Sequence, residues 1–236
     1  MSRFMTSSAT VRGAVQRGLL PVLLVAGLSA CSLLPASDPV DSYLLPHAPS
    51  APLAPVPGAV ESPSAPDAAD PLPVSLRVTR PVTGVLLSGQ RMVVIPDQHR
   101  AQVYHGSQWS EPVPLLLRKR LSDAFRIDGR IGMLSNDEIR LRTQFELISD
   151  LRAFHVEYVD GTPQAVISLE ARLVRTEARS MLDGRLFEAR VAATGSSVPE
   201  VVDAMGRAAN ALAGSLVSWT VEGIARSLKQ GEADGL

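Results

Sequence analysis

The 236-residue chain contains one cysteine, Cys31, and the residues before it predict a covalent modification of its thiol. Cys31 ends the most apolar stretch of the sequence, residues 19–31, and directly follows Leu28, Ser29 and Ala30. An aliphatic residue, two small residues and a cysteine form a lipobox, in which small side chains let an extended backbone fit a peptidase cleft. We predict that Cys31 takes a diacylglycerol on its sulfur and, after cleavage, palmitate on the freed amine. The alternative is an ordinary cleaved signal followed by a chance cysteine.

The residues around the lipobox predict that the protein is exported. Residues 1–17 contain Arg3, Arg12 and Arg17 and no acidic residue, as at the start of a secretory signal peptide. The apolar run that follows is shorter than the roughly 20 residues that a membrane-spanning helix needs. Residues 1–30 are therefore predicted to be a lipoprotein signal peptide, and the acyl chains to be the membrane anchor. Ser32 is not the aspartate usually linked to inner-membrane retention, which favours the periplasmic leaflet of the outer membrane.

The remaining groups that could perform chemistry are not spaced for it. The four histidines lack the paired spacing of a metal site, and no motif for a nucleophilic serine, a phosphate or a dinucleotide occurs. Asp150 and His155 share a predicted strand but are about 16 Å apart along it, too far for an acid–base pair. Asp137 and Glu138 lie in a polar stretch and are expected to be solvated. We therefore predict that the protein is not an enzyme and holds no metal or other cofactor.

The charge of the chain excludes one class of partner. The sequence has 23 basic and 24 acidic residues, and three of the basic residues lie in the predicted signal peptide, so the mature chain is weakly acidic. It lacks the basic surface of a nucleic-acid-binding protein. With Cys31 acylated, no disulfide can form, so core packing must stabilise the exported domain.

Composition divides the mature chain into segments. Residues 31–45 are predicted to be a lipidated tether, in which residues 43–45 could form a first strand. Residues 46–73 contain nine prolines and are predicted to be disordered, either as a spacer or as a polyproline ligand for a grooved partner. Residues 74–230 have the patterns of a folded domain, and residues 231–236 are predicted to be a disordered tail.

Alternating apolar residues predict a sheet in the folded domain. Residues 74–79 and 92–95 are read as early strands. In residues 145–158 the apolar positions change from odd to even, so we predict a bulge near Ala153 that keeps both halves on the core. Residues 165–173 form the next strand, Asp183-Gly184 is predicted to be the hairpin turn, and residues 187–191 form the return strand.

Two helices are predicted to cover this sheet. Residues 112–126 begin with prolines and place Leu117, Leu121 and Phe125 on one face. Residues 118–120, which are all basic, lie off that face and are read as solvated, with anionic lipid headgroups as the alternative partner. A capping box at Ser197 and Glu200 begins a C-terminal helix that is expected to run to about Lys229. The fold class expected is α+β, with a mainly antiparallel sheet and one face covered by two amphipathic helices, including the long C-terminal one.

Three aromatic residues are considered for binding. Tyr104 and Trp109 are candidates for a partner interface, with a position in the packed edge of the core as the alternative. Trp219 lies on the apolar face of the C-terminal helix and is assigned to the core.

Several segments, in this order, resemble one family. They are a lipobox followed by residues 43–45 (YLL), WSEPVPLLLRKRLSDAF from Trp109, FELISDLRAFHVEY leading into AVISLEARLV, GRLFEARVAA, and LVSWTVEGIA in the last helix. The chain is similar to the ABC-type transport auxiliary lipoproteins of the PqiC/YmbA type. The proline-rich segment is longer than is usual in that pattern.

The resemblance implies a function and a partner. It implies a non-catalytic, lipid-anchored outer-membrane protein that docks with an MCE-domain protein of an ABC-type transporter. Such systems move lipids or other hydrophobic molecules between envelope membranes. A homo-oligomer would fit a ring-shaped MCE assembly. The alternative is a stand-alone periplasmic lipid- or ligand-binding lipoprotein, with an apolar cavity between the sheet and the C-terminal helix.

Overall fold

The computed structural model describes residues 39–47, 71–97, 99–139 and 141–234. The predictions for the signal peptide, for Leu28, Ser29, Ala30 and Cys31, and for most of the proline-rich segment fall outside these residues. Within them, the chain forms eight strands and two helices: β1 (Asp41–Tyr43), β2 (Leu72–Val78), β3 (Arg91–Asp97), β4 (Arg100–Trp109), α1 (Val113–Asp128), β5 (Ile131–Asn136), β6 (Phe145–Val159), β7 (Thr162–Arg175), β8 (Ser180–Ala192) and α2 (Val198–Asp234). Neither of these helices is both long and apolar enough to cross a membrane.

The eight strands form one mixed sheet built around β6. The antiparallel strands β7 and β8 follow β6 on one side. On the other side, the first half of β6 pairs with β2 and the second half with β3, and both pairings are parallel. Strand β5 continues the sheet from β2, while β4 and β1 continue it from β3. Four of the seven pairings between described strands are parallel. The α+β class is thus confirmed, but the expectation of a mainly antiparallel sheet is wrong.

The long strand contains the predicted bulge. The register between β6 and β7 shifts between Leu151 and Ala153, and Phe154 then pairs with Ile167. The extra residue keeps Leu151 and Phe154 buried on the same side of the sheet. A change of parity in the apolar pattern was therefore a correct sign of the bulge.

The predicted turn at Asp183-Gly184 is wrong. Both residues lie inside β8, opposite Leu173 and Arg172, and the β7–β8 turn comprises residues 176–179. A two-residue Asp-Gly turn occurs instead between β6 and β7, where Asp160 and Gly161 have φ of 50° and 78°. These positive angles are those of the type I′ turn that suits a twisted hairpin.

Both helices pack on the apolar side of the sheet. Leu117, Leu121 and Phe125 of α1 are fully buried, as predicted. Gly129 ends α1 in the left-handed conformation with φ of 73° and donates its N–H to the Phe125 carbonyl. The whole predicted apolar face of α2 is buried, including Trp219. At its start, one half of the predicted capping box is formed, since the Ser197 backbone N–H donates to Glu200 Oε2. The Ser197 hydroxyl donates to the same carboxylate oxygen rather than accepting from the Glu200 N–H. The helix continues to Asp234, beyond its expected end and into the predicted tail.

Candidate functional site

Trp109, a predicted interface residue, belongs to the core. It is 2% exposed, and its ring packs edge-on against Phe154, with 5.6 Å between ring centroids. The backbone of Trp109 is also fixed, because its N–H donates to the Gln90 carbonyl at 2.7 Å. Trp109 ends β4 and is covered as the chain turns into α1. Trp109 therefore occupies the alternative position given for it, in the packed core, and its role in a partner interface remains a prediction.

Tyr104, the other interface candidate, is half-buried on β4. Its ring packs against the hydrophobic core. Its hydroxyl is buried and neither donates nor accepts a hydrogen bond among the described residues. Burial, and then the proximity of Tyr158, raise the pKa of the Tyr104 phenol. A role of Tyr104 in an interface remains a prediction.

The side of the sheet opposite the helices carries a network of paired charges. Arg172 donates to Asp150 at 2.7 Å and to Glu170 at 3.0 Å, and Arg152 also pairs with Glu170. On the neighbouring part of the sheet, His155 Nε2 lies 2.9 Å from Glu157 Oε1, and Arg190 donates to the other oxygen of Glu157. The pKa of Glu157 is lowered, first by His155 and then by Arg190.

This network supports no acid–base pair between Asp150 and His155. The two side chains are engaged with different partners, Asp150 with an arginine and His155 with Glu157. Arginines neutralise the negative charges of Asp150, Glu157 and Glu170. These ion pairs are suited to stabilise the sheet and give it a polar surface. In residues 39–47, 71–97, 99–139 and 141–234, no three His, Cys, Asp or Glu side chains are grouped so as to hold a metal ion.

Two of the three basic residues in the cluster 118–120 of α1 are buried, contrary to the expected solvated face. Arg118 is 4% exposed and donates to Asp137 and, at 2.9 Å, to Glu138. Desolvation lowers the pKa of Arg118 and these hydrogen bonds raise it, and the net shift is upward. Desolvation raises the pKa of Asp137, but the hydrogen bond from Arg118 lowers it, and the net shift is downward. The two acidic residues expected to be solvated thus neutralise a buried cation, while Lys119 alone remains exposed and pairs with Glu111.

Arg120 holds the N-terminal segment onto the two helices. It is 6% exposed, and its Nη2 donates to the Leu45 carbonyl at 3.0 Å and to the Pro46 carbonyl. Its Nη1 donates to the side-chain oxygen of Asn210 on α2. These acceptors are all neutral, and burial lowers the pKa of Arg120. Pro46 lies so close to Gly206 of α2 that a Cβ on Gly206 would be 3.0 Å from the Pro46 Cβ.

Beyond this clamp, α1 and α2 border an open space of about 420 Å³, which we call the helix groove. Its walls are largely apolar or small, with charged and polar side chains at the rim: His47, Arg120, Asp123, Ala124, Ile127, Asp128, Asn210, Ala213, Gly214, Val217 and Ser218. The rim acids Asp123 and Asp128 are paired with neighbouring arginines. Arg120 thus lies beside an apolar space as a cation without a carboxylate partner among the described residues. The helix groove is suited to bind an apolar chain rather than to perform catalysis.

Comparison with protein families decides what kind of protein contains these features. The model of the ABC-type transport auxiliary lipoprotein component family matches residues 56–217, about two thirds of the chain. The chain belongs to this family. As a member of this auxiliary lipoprotein family, it is a lipid-anchored protein of the cell envelope and a component of an ABC-type transport system.

Solved structures agree with the family assignment. The crystal structure of protein XCC0632 from Xanthomonas campestris, a DUF330 protein, is 25% identical with a TM-score of 0.65, and the match covers 70% of this chain and 94% of that one. An uncharacterized protein of known crystal structure is 16% identical with a TM-score of 0.56, covering 77% of this chain and 98% of that one. The second likeness shows a shared fold alone. No curated protein sequence matched the chain.

Sequence patterns missed the helix groove and the Arg120 clamp. Residues 45 and 46 are far from Arg120 and Asn210 in the chain, so no local period connects them. One usable signal was present, namely two arginines that flank a single exposed lysine on an amphipathic helix. Arginine is the cation that proteins bury most readily, because its planar group can satisfy several acceptors at once.

Proposed function

We propose that this auxiliary lipoprotein is a non-catalytic docking component of an MCE-type ABC transport system that moves lipids or other hydrophobic molecules between envelope membranes. In this proposal residues 1–30 are the signal peptide, and Cys31 anchors the mature chain to the periplasmic leaflet of the outer membrane. Residues 32–40 are the tether, and the MCE-domain protein is the partner. The observation that carries the proposal is the family match over residues 56–217.

The distribution of charge supports a docking rather than a catalytic role. The acidic side chains of the sheet surface form ion pairs with Arg152, Arg172 and Arg190. A general base requires a carboxylate or imidazole that is free to accept a proton from a substrate. Side chains committed to fixed ion pairs instead present a rigid polar surface, which is suited to recognition by another protein.

An affinity purification of the full-length protein from gently solubilised envelopes tests this function. We expect an MCE-domain protein to copurify, and mass spectrometry to find a triacylated Cys31 at the N-terminus of the bait. Separation of inner and outer membranes on a density gradient gives the location. The matched control is Cys31→Ala, which should leave the folded domain intact but release it from the membrane fraction.

The outcomes separate the parts of the proposal. Acylated bait without any transporter component would refute docking while leaving the anchor intact. A Cys31→Ala protein that remains in the membrane fraction with its signal peptide cleaved would refute the lipid anchor. The native mass of the purified complex also shows whether the auxiliary lipoprotein assembles as a homo-oligomer.

The helix groove favours a second candidate function, the binding of a lipid by this protein alone. Between the sheet and α2, the gap beside Trp109 and Met205 measures only about 10 Å³, but a space of about 590 Å³ lies where Phe145 and Arg175 of the sheet face Leu228 of α2. Arg175 and Glu177 line that second space, whereas the helix groove, at about 420 Å³, has the more apolar walls, and its Arg120 could attract the acidic group of a lipid. Copurification of lipid with the mature chain bearing Cys31→Ser, in the absence of any protein partner, would support this candidate. A lipid-free chain would refute it.

A further inference from the structure

The direction of β1 indicates from which side the chain enters the folded domain. Strand β1 is parallel to β4, with Asp41 opposite Ser107 and Tyr43 opposite Trp109. Strand β4 begins at Arg100, directly after the turn from β3. The chain therefore enters β1 from the side of the sheet where the β3–β4 turn lies.

A second turn lies at the same end of the sheet. Strands β3 and β6 are parallel, with Ile95 opposite Glu157. The last residues of both strands, Asp97 and Val159, consequently lie at the same end of the sheet, at similar positions along the strand direction. We call residues 97, 99, 100 and 159–162, where the chain turns after these strands, the hairpin end. The β7–β8 turn, residues 176–179, lies at the opposite end, since Arg175 pairs with Phe145 at the start of β6.

The short stretch between Cys31 and β1 limits how far the domain can lie from an anchor at Cys31. Ten residue steps separate Cys31 from Asp41 and span at most about 35 Å when fully extended. Beside β4, whose residues 100–108 bulge against the six steps of β3 from Arg91 to Asp97, about 20 Å of this length is taken up. If the tether continues the direction of β1, only about 15 Å remains beyond the hairpin end by the same arithmetic.

The opposite end of the sheet is at the limit of the same tether. The registers place Asp41 about level with Ala153 of β6, and eight steps at about 3.3 Å separate that level from Phe145, or about 26 Å. The β7–β8 turn is also about four strand spacings away across the sheet, or about 19 Å at about 4.8 Å each. The combined distance, about 32 Å, takes up nearly all of the fully extended tether.

The clamp at Arg120 prevents the chain from adding length after β1. Leu45 is buried, and the carbonyls of Leu45 and Pro46 accept hydrogen bonds from Arg120. The proline-rich segment follows this clamp, so it cannot lengthen the connection between the lipid and the domain. A reach on the order of 100 Å, which the sum of both segments would allow, is thereby excluded for the anchor.

The hairpin end has a surface compatible with lipid headgroups. Val103, Tyr158 and Val159 near it are each exposed over more than a third of their surface. The charges of Asp97 and Arg100 are paired with each other at 2.8 Å. A tyrosine beside aliphatic side chains is typical of surfaces that meet the membrane interface, because its ring is apolar and its hydroxyl is polar.

We propose that the hairpin end faces the membrane in which Cys31 is anchored and contacts its lipid headgroups, whereas the β7–β8 turn points away from it. This inference rests on the proposed acylation of Cys31. It assigns two ends to the domain: one is held at the bilayer, and the other is free to meet a partner in the periplasm.

Fluorescence quenching on liposomes tests the orientation. Full-length acylated protein with Val159→Cys or Ala178→Cys is labelled with a thiol-reactive fluorophore and reconstituted into vesicles of phosphatidylethanolamine and phosphatidylglycerol that contain a headgroup-linked quencher. Both positions are exposed, in the β6–β7 and β7–β8 hairpins respectively. Strong quenching is expected for the label at 159, and emission close to that in quencher-free vesicles for the label at 178. Val103→Cys provides a second site at the hairpin end if Val159→Cys folds poorly.

The controls separate the orientation from the anchor. The unsubstituted protein should float with the vesicles and take no label, because its only thiol is acylated. Failure to float would refute the anchor and the orientation together. Flotation with equal quenching at both ends, or with stronger quenching at residue 178, would overturn the orientation alone. Insertion of a long Gly-Ser stretch after Ser37 should reduce the difference between the two labels, and an unchanged difference would contradict the argument from tether length.

Discussion

The buried cation Arg118 provides the most direct test of how α1 is held to the rest of the domain. The double substitution Asp137→Asn and Glu138→Gln removes both negative charges that neutralise it and nearly preserves the size of each side chain. The guanidinium would remain buried with only neutral acceptors. We expect the domain to lose stability without changing its fold.

The magnitude follows from the burial of the three groups. Removal of one partner from a fully buried ion pair costs about 3–5 kcal/mol, because the remaining charge is left uncompensated. Here Arg118 is 4% exposed, but the side chains of Asp137 and Glu138 are 35% and 57% exposed, so water screens part of each interaction. The amides can still accept hydrogen bonds, which reduces the cost further. We therefore expect the double variant to lose about 2–3 kcal/mol of unfolding free energy.

Urea unfolding of the mature chain, followed by far-UV circular dichroism, measures this loss. The matched control is Asp97→Asn, which removes a carboxylate from an ion pair whose two side chains are both 65% exposed. An exposed pair of this kind contributes at most about 1 kcal/mol. The control should therefore unfold near the urea midpoint of the unsubstituted protein, well above that of the double variant.

A third substitution distinguishes charge from packing. Arg118→Met, added to the double variant, replaces the uncompensated cation with an apolar side chain of similar length and should recover part of the lost stability. The reasoning would be refuted if the double variant were as stable as the Asp97→Asn control. It would also be refuted if Arg118→Met lowered the stability of the double variant further.

Three further predictions concern the helices, the sheet surface and the core. Gly214→Ala should stabilise α2 by about 0.5–1 kcal/mol because a Cβ there meets nothing within 4 Å. Gly206→Ala should give no such gain because its Cβ would press on Pro46. Equal changes in melting temperature for the two variants would contradict the close contact between Gly206 and Pro46. The lowered pKa of Glu157 means that its stabilising effect is present above the ordinary glutamate pKa of about 4.3 and is lost as the pH falls through the lower folded value. Glu157→Gln should therefore make the melting temperature fall less steeply between about pH 5 and pH 3, and an unchanged profile would show that this carboxylate contributes nothing. Trp109→Ala should lower the free energy of unfolding by about 3–5 kcal/mol, measured by urea unfolding, as expected for a fully buried tryptophan. A decrease below about 1 kcal/mol would instead agree with an interface position.

Local patterns predicted the elements whose partners are near in the sequence. The bulge in β6 was visible because the side chains of a strand alternate in direction, so one extra residue changes the parity of the apolar positions. The start of α2 was visible because Glu200 accepts a hydrogen bond from the Ser197 backbone N–H within a single turn. In both cases the physical cause acts over a few residues.

Pairing between distant strands was not predictable in the same way. The parallel pairs of β2 with β6 and of β1 with β4 join segments that are about 66–69 residues apart. An apolar pattern shows that a strand is buried on one face, but not which neighbour it has or in which direction that neighbour runs. The Asp183-Gly184 signal failed for a related reason. Asp183 accepts a hydrogen bond from Trp219 Nε1 at 3.0 Å, and this tertiary contact accompanies its place inside β8.

The features of the candidate site also fall into those that short sequence patterns predict and those that depend on distant contacts. The sequence by itself determined the lipobox prediction, the helix that carries the arginines and the apolar face of α2, since each depends on residue type and short spacing. Only the tertiary structure decided that Trp109 is enclosed, that Arg118 and Arg120 are buried, and that the chain enters the sheet from the hairpin end. Those properties depend on which distant backbone and side-chain groups replace water around each residue, and that exchange takes place only when the strands and helices pack together.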